Sequence, residues 1–278
     1  MKCVPFATAA LLLAALATFA DQPANKPMAT GLTNPTSVAV LKGKTFVAVA
    51  GEIGKDGDGA IMVLDKGKAT VFVGNLDDPR GLTTYQNFLF AADKKRIWRI
   101  DMKGKAEVFV AENAFPTPPT NLYDVVVDSE QGLNAGSIYA CDGGDGPNKG
   151  WAIYKITQKK QVTVVTDQKR WPQMQRPGGI VTDGKNHLLI MDRGTGTLYR
   201  LTLAGGATEK VADGLGGGDG LAWDVFGRLF ISDSKGGKVH VIGRPGQAPV
   251  MLAQGFQSPG DLCTDATTKS VLVADIKA

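Results

Sequence analysis

Histidine is scarce in this 278-residue chain, with only His187 and His240. A nucleophile activated by imidazole needs a histidine within hydrogen-bond reach of a serine or cysteine. His187 is read in a turn and His240 inside an apolar strand, so no Ser-His-Asp or Cys-His arrangement is expected. Cysteine is equally sparse, at positions 3, 141 and 263. Concentrated charge of one sign is also missing: 31 basic residues face 27 acidic ones, for a net charge of +4. Basic groups such as Lys94, Lys95 and Arg96 or Lys159 and Lys160 are scattered through expected turns, which argues against a nucleic-acid partner. Helix-period segments are lacking too. GLGGGDG, although rich in glycine, is therefore not a phosphate loop, because dinucleotide and P-loop sites need a following helix.

The one long apolar run lies at the start, in MKCVPFATAALLLAALATFA. A single lysine, an apolar stretch and small residues before Asp21 are the pattern of a cleaved secretory signal over residues 1–20. Cys3 precedes the apolar run, where a lipid-anchoring cysteine would not sit. The run falls short of the roughly 20 apolar residues that span a bilayer, so no transmembrane segment is expected. The expected product is one domain, residues 21–278, that is periplasmic or secreted.

What fills that domain is repetition. A small or polar residue, a glycine-rich head and an apolar strand recur as PTSVAVL, PRGLTTY, LYDVVVD, PGGIVTD, GDGLAWD and PGDLCTD. The units return at roughly 40- to 55-residue intervals, close to the length of a propeller blade. Each head is followed by a second apolar strand (TFVAVAG, FLFAAD, SIYACD, HLLIMD, RLFISD, SVLVAD). The first five units add a third strand, such as RIWRID, and a fourth, such as AEVFVA. Short strands punctuated by glycine, aspartate and asparagine specify an all-β fold. The expectation is a six-bladed β-propeller of four-stranded antiparallel blades, resembling NHL-repeat proteins in its grammar. The sixth unit stops after two strands, and KPMATGL from Lys26 is expected to supply a strand that closes the ring. Cys141 and Cys263 then fall on opposite blades, so both are expected as buried free thiols.

Repetition also separates scaffold from site. Asp93, Asp142, Asp192, Asp233 and Asp275 all end second strands, and Asp128, Asp183, Asp224 and Asp265 end first strands, so both sets are read as turn caps. The residue at the head of each first strand varies instead: Thr36, Arg80, Tyr123, Gly178, Asp219 and Gly260, with Asp124 and Asp261 one position on. These ring the mouth of the central channel, the default place for a ligand. Asp219, flanked by glycines, is the candidate metal ligand, with Ca²⁺ preferred over Zn²⁺ or Mg²⁺, since carboxylate oxygen suits hard cations. Asp219 and Asp124 are the candidate catalytic pair. Thr36, Arg80, Tyr123, Asp124 and Asp261 are the candidate ligand-binding residues. The loops GKDGDGA and CDGGDGPNKG are read as hairpin turns, since they lack calcium-loop spacing.

In GGDGLAWDVFGRLFISDSKGGKVHVI the chain resembles the SMP-30/gluconolactonase-like propellers. That resemblance implies a divalent cation at the mouth, held by a Glu, an Asn and an Asp, which polarises a lactone or ester carbonyl and activates water. The Asp position falls on Asp219. The Glu position falls on Thr36 and the Asn position on Gly178, and a substrate-lining Asn-Asp pair falls on Tyr123 and Asp124. Two functions follow as expectations. One is a propeller that binds a small molecule, glycan or protein at a mouth whose metal site is degenerate. The other is a divergent metal-dependent lactonase or esterase.

Overall fold

The computed structural model describes residues 25–52, 54–129, 134–184 and 186–276, so the expected signal segment 1–20 lies outside the described residues. Five four-stranded antiparallel sheets follow one another in the chain. The first contains β1 (Pro35–Leu41), β2 (Lys44–Val49), β3 (Gly59–Asp65) and β4 (Lys68–Leu76). The second contains β5 (Pro79–Tyr85), β6 (Phe88–Asp93), β7 (Arg96–Asp101) and β8 (Ala106–Val110). The third contains β9 (Leu122–Val127), β10 (Ile138–Asp142), β11 (Ala152–Ile156) and β12 (Val162–Asp167). The fourth contains β13 (Pro177–Thr182), β14 (His187–Asp192), β15 (Thr197–Thr202) and β16 (Thr208–Ala212). The fifth contains β17 (Gly218–Trp223), β18 (Leu229–Asp233), β19 (Lys238–Ile242) and β20 (Val250–Gln254). Only β21 (Pro259–Asp265) and β22 (Ser270–Asp275) make up a sixth sheet. The fold is an all-β propeller with five four-stranded blades, and one 3₁₀ turn at Glu112–Ala114 is its only helical element among the described residues. No described helix is long and apolar enough to cross a membrane.

The expectation of a sixth blade completed by an amino-terminal strand therefore needs correction. KPMATGL adds no strand to the sixth sheet, and residues 25–34 carry no strand at all. Gly31 (φ 74°) and Asn34 (φ 50°) sit in the left-handed region, which turns the chain out of an extended ladder. Leu32 instead packs with Cys263 and Leu272 against Val38, Val47, Val49 and Ala60, so apolar contact rather than strand pairing joins this segment to the first and sixth sheets. Both described cysteines are free, as expected, but only Cys141 is buried, while Cys263 on the incomplete sixth sheet is half-buried. His187 also departs from expectation, opening strand β14 rather than sitting in a turn.

Sheet packs on sheet through apolar clusters that straddle neighbours. Phe46 and Ile61 of the first blade meet Leu82, Leu89 and Ile100 of the second. Tyr139, Trp151 and Ile153 of the third meet Ile180, Leu188 and Ile190 of the fourth. In the second, third and fifth blades the second strand is the most buried, because it is covered on both faces and paired along both edges. Alternation fades in the second strands into continuous apolar runs such as FLFAAD and HLLIMD.

Two features of the repeat aim the inner strands. The residue that opens each first strand, proline in four of the six, is followed by a slip of register against the second strand in all six sheets. In the second blade Pro79 pairs with Asp93 and Gly81 with Ala92, which leaves Arg80 without a cross-strand partner. In the third, Leu122 pairs with Asp142 and Asp124 with Cys141, and Tyr123 is the extra residue. Bulges of this kind re-aim a side chain at the rim of a sheet. The recurrent glycine has a different cause. A Cβ on Gly81 would lie 2.6 Å from Asp124 Cα, one on Gly179 would lie 2.2 Å from the Asp219 carbonyl oxygen, and one on Gly220 would lie 2.6 Å from Asp261 Cα. Inner strands of adjacent blades converge too closely for a side chain there.

Candidate functional site

The second-strand aspartates hold the loops that enter the mouth. Asp192, wholly buried, accepts hydrogen bonds from the backbone N–H groups of Gln175, Arg176 and Gly194 and from the Thr195 hydroxyl. Asp142 does the same for Thr120, Asn121 and Gly144, and Asp93 for Asp77, Asp78 and the Trp98 indole. Asp233 accepts from Gly217 and Gly236, and Asp275 from Gln257 and Ser258. Each ties the connection from the previous blade to the end of its own second strand, so the turn-cap reading extends to a clasp between elements. At the opposite end Asp224 and Asp265 cap local turns through Phe226, Arg228 and Thr267.

Framed by these clasps, the bulged residues surround a cavity of about 10 Å³ lined by Thr36, Arg80, Tyr123, Asp124, Asp219 and Asp261. That is the size of a single water. Every candidate named from the sequence thus lines one place, but their roles differ. Thr36 turns its hydroxyl to the Pro79 and Ala48 carbonyls. Asp124 spends one oxygen on the Val125 N–H (2.7 Å) and the other on the Ile180 N–H of the next blade (2.8 Å). Asp261 accepts from the Ser37 hydroxyl of the first blade (2.5 Å) and from the Leu262 N–H (2.8 Å). Both acids therefore bridge inner strands. Burial pushes Asp124 well above the usual carboxylate range, and the nearby Asp261 adds to it. Burial likewise raises Asp261 to about 7, with Asp219 contributing repulsion.

Asp219 is 1% exposed and is set apart by a different neighbourhood. Its Oδ2 accepts from the Tyr123 hydroxyl at 3.0 Å and lies 3.4 Å from Arg193 Nη2. The Arg193 guanidinium stacks 4.1 Å from the centroid of the Tyr123 ring, and Arg80 stands 5.6 Å from the same ring. Burial followed by the Asp219 charge raises the Tyr123 phenol, so it remains a neutral donor. Burial alone would lower the Arg193 pKa, but Asp219 and Tyr123 outweigh it and hold the guanidinium above its ordinary value.

Arg193 was not among the residues singled out from the sequence, nor was Arg176. Both flank repeat positions: Arg176 precedes the head proline Pro177, and Arg193 follows the clasp aspartate Asp192, in MDRGTG. Their shared signal was chemical. No other unit carries arginine at either position. The route of Arg193 to Asp219 depends on Gly178, where a Cβ would fall 2.3 Å from Arg193 Cδ and 2.4 Å from its Cγ. Absence of a side chain at 178 makes room for the arginine stem.

The donor set does not fit a divalent cation. Asp124 and Asp261 have committed their oxygens to backbone N–H and hydroxyl donors, while Asp219 already faces a guanidinium. Among the described residues no group of three His, Cys, Asp or Glu side chains is arranged to hold a metal ion. The Asp-rich loops are turns: Asp56 pairs with Lys94 at 2.5 Å, Asp58 accepts from the Glu52 N–H, and Asp145 N–H donates to the Lys149 carbonyl.

No protein-family model matches the chain, and no curated protein sequence does. Solved structures do match. A protein provisionally designated a gluconolactonase superposes with a TM-score of 0.69 at 18% identity, over 91% of this chain and 90% of its own. A gluconolactonase from Xanthomonas campestris, described as important in glucose secondary metabolic pathways, superposes with a TM-score of 0.72 at 15% identity, over 90% of this chain and 85% of its own. At these identities the likeness establishes architecture, and the chain has the propeller fold of these two structures.

Proposed function

We propose that this chain is an exported, SMP-30/gluconolactonase-like propeller that works by binding a ligand or partner at its channel mouth, with a degenerate metal site. One observation carries the reading: the Arg193 guanidinium, passing over Gly178 and seated on Tyr123, faces Asp219. A fixed positive charge beside a buried carboxylate does electrostatically what a bound cation would do, and it leaves that carboxylate less able to recruit one. Thr36 and Gly178, at positions where the resemblance implies Glu and Asn, supply no further ligand. Binding outside the cytoplasm follows from the signal-like residues 1–20.

The second reading, a divergent metal-dependent lactonase or esterase, is favoured by the retained Asp219 and by the names of the two structural neighbours. Thermal unfolding separates the two. The chain is treated with EDTA and then given Ca²⁺, Mg²⁺ or Zn²⁺, beside Asp219→Asn. The binding reading expects no metal-dependent shift and no hydrolysis of simple lactones. A cation at 100 times its Kd would add about 2.7 kcal/mol, or roughly 5–10 °C for a chain of this size. A rise of that size that disappears in Asp219→Asn overturns the proposal in favour of the enzyme.

A further inference from the structure

Three guanidinium groups share the mouth, and their partners do not balance them. Arg80 pairs with Asp78 at 2.9 Å and Arg193 with Asp219 at 3.4 Å. Arg176 has no carboxylate partner among the described residues, although its backbone carbonyl accepts from the Arg193 N–H at 2.9 Å, so the two side chains leave adjacent backbone. The Nε atoms of both Arg176 and Arg193 are buried and make no hydrogen bond. A half-buried guanidinium stays charged at any ordinary pH, and leaving it unpaired beside like charges is costly. Burial, followed by repulsion from Arg193, depresses the Arg176 pKa, which reports the same imbalance. The acids beneath do not cancel it: Asp219 is taken by Arg193 and Tyr123, and Asp124 and Asp261 are locked to neighbouring strands.

On the reading that the mouth binds a ligand, we infer that Arg176, together with Arg193 and Arg80 over the Tyr123 ring, forms a receptor for the carboxylate of a small organic acid. Two of the three arginines are already matched by aspartates, so the unmet charge is one, which suits a monoanion better than a phosphate dianion. Guanidinium forks bind carboxylates through paired hydrogen bonds, and the half-buried Arg176 brings a fork that no carboxylate of the described residues matches. The water-sized cavity below admits no more of the ligand, so the acid rests on the rim with the remainder of the molecule outward.

Calorimetry and thermal unfolding of the whole chain at constant ionic strength test this with propionate, the neutral propanamide and inorganic phosphate. The variants are Arg176→Gln and, on the far end, Arg228→Gln, which loses only local contacts with Asp224 and the Phe226 and Phe230 rings. Propionate is expected to bind and stabilise where propanamide does not. Arg176→Gln should weaken propionate about 10- to 100-fold, the range of charge-assisted hydrogen bonds, while Arg228→Gln leaves it unchanged. Circular dichroism of Arg176→Gln, expected to match the parent because an uncompensated charge is removed, guards against misfolding. Equal binding of propanamide, propionate affinity unaltered in Arg176→Gln, or phosphate tighter than propionate by tenfold or more overturns the carboxylate receptor and leaves mouth binding standing. A metal-dependent shift lost in Asp219→Asn instead removes the reading on which it rests.

Discussion

Asp261 illustrates how one carboxyl can serve a scaffold and still titrate near neutrality. It sits where inner strands converge, accepts from Ser37 and Leu262, and is raised from 3.8 to about 7 by burial, with Asp219 opposing its ionisation. An acid whose folded pKa lies above its unfolded value holds a proton in the native state that the unfolded chain has released. Its stabilising contribution is therefore complete below about pH 4 and is lost as pH rises through about 7. Urea midpoints of the parent and Asp261→Asn, compared between pH 4 and pH 8, should diverge in slope: the parent loses stability across this window and the variant loses less. Acids with depressed pKa values at the far end, such as Asp224 and Asp265, cancel in the difference. Parallel curves would mean that Asp261 is ionised throughout. The same residue scale explains Gly178 and Gly179, neighbours with unlike jobs. One clears a path for the flexible Arg193 stem, and the other avoids a collision with rigid backbone.

At the scale of the element, each mouth-facing loop hangs on a single aspartate. Asp192 is buried and satisfies three backbone N–H groups and one hydroxyl, so its removal strands several donors away from water. Asp192→Ala should cost ~3–5 kcal/mol, the scale of several orphaned buried groups. Asp265, half-exposed at the far end and capping Thr267 and Thr268, should cost ~0.5–1 kcal/mol when replaced by alanine. Equal losses in denaturant titrations would refute the clasp. Both sets of aspartates were visible in the sequence as repeated strand ends. Their unequal burial was not, since a second strand is covered by neighbours on both sides only once blades pack.

For the whole molecule, the sixth sheet is the weak point. β22 is mostly half-buried, whereas β14 is buried along nearly its full length and paired on both edges. Local opening follows burial and pairing. Amide hydrogen exchange should therefore run on the order of 100-fold faster in β22 than in β14. Matching protection would show that another element covers the β22 edge. The expectation of a closing strand from KPMATGL went astray on local grounds. Its apolar pattern matches other fourth strands, but the left-handed backbone at Gly31 and Asn34 breaks the extended run.

Strand identity, strand order within each four-stranded blade and the ring of variable head residues followed from the sequence alone, because those properties depend on local periodicity and on turn residues repeated in every unit. Which head residues act together depended on packing. Asp124 and Asp261 looked as available as Asp219, but strand convergence committed them to their neighbours. Arg193, not singled out from the sequence, reaches the mouth because the bulge at Tyr123 and the bare backbone at Gly178 give its side chain a seat. A carboxylate's partners are set by which chains meet around it, and only the tertiary structure decides that.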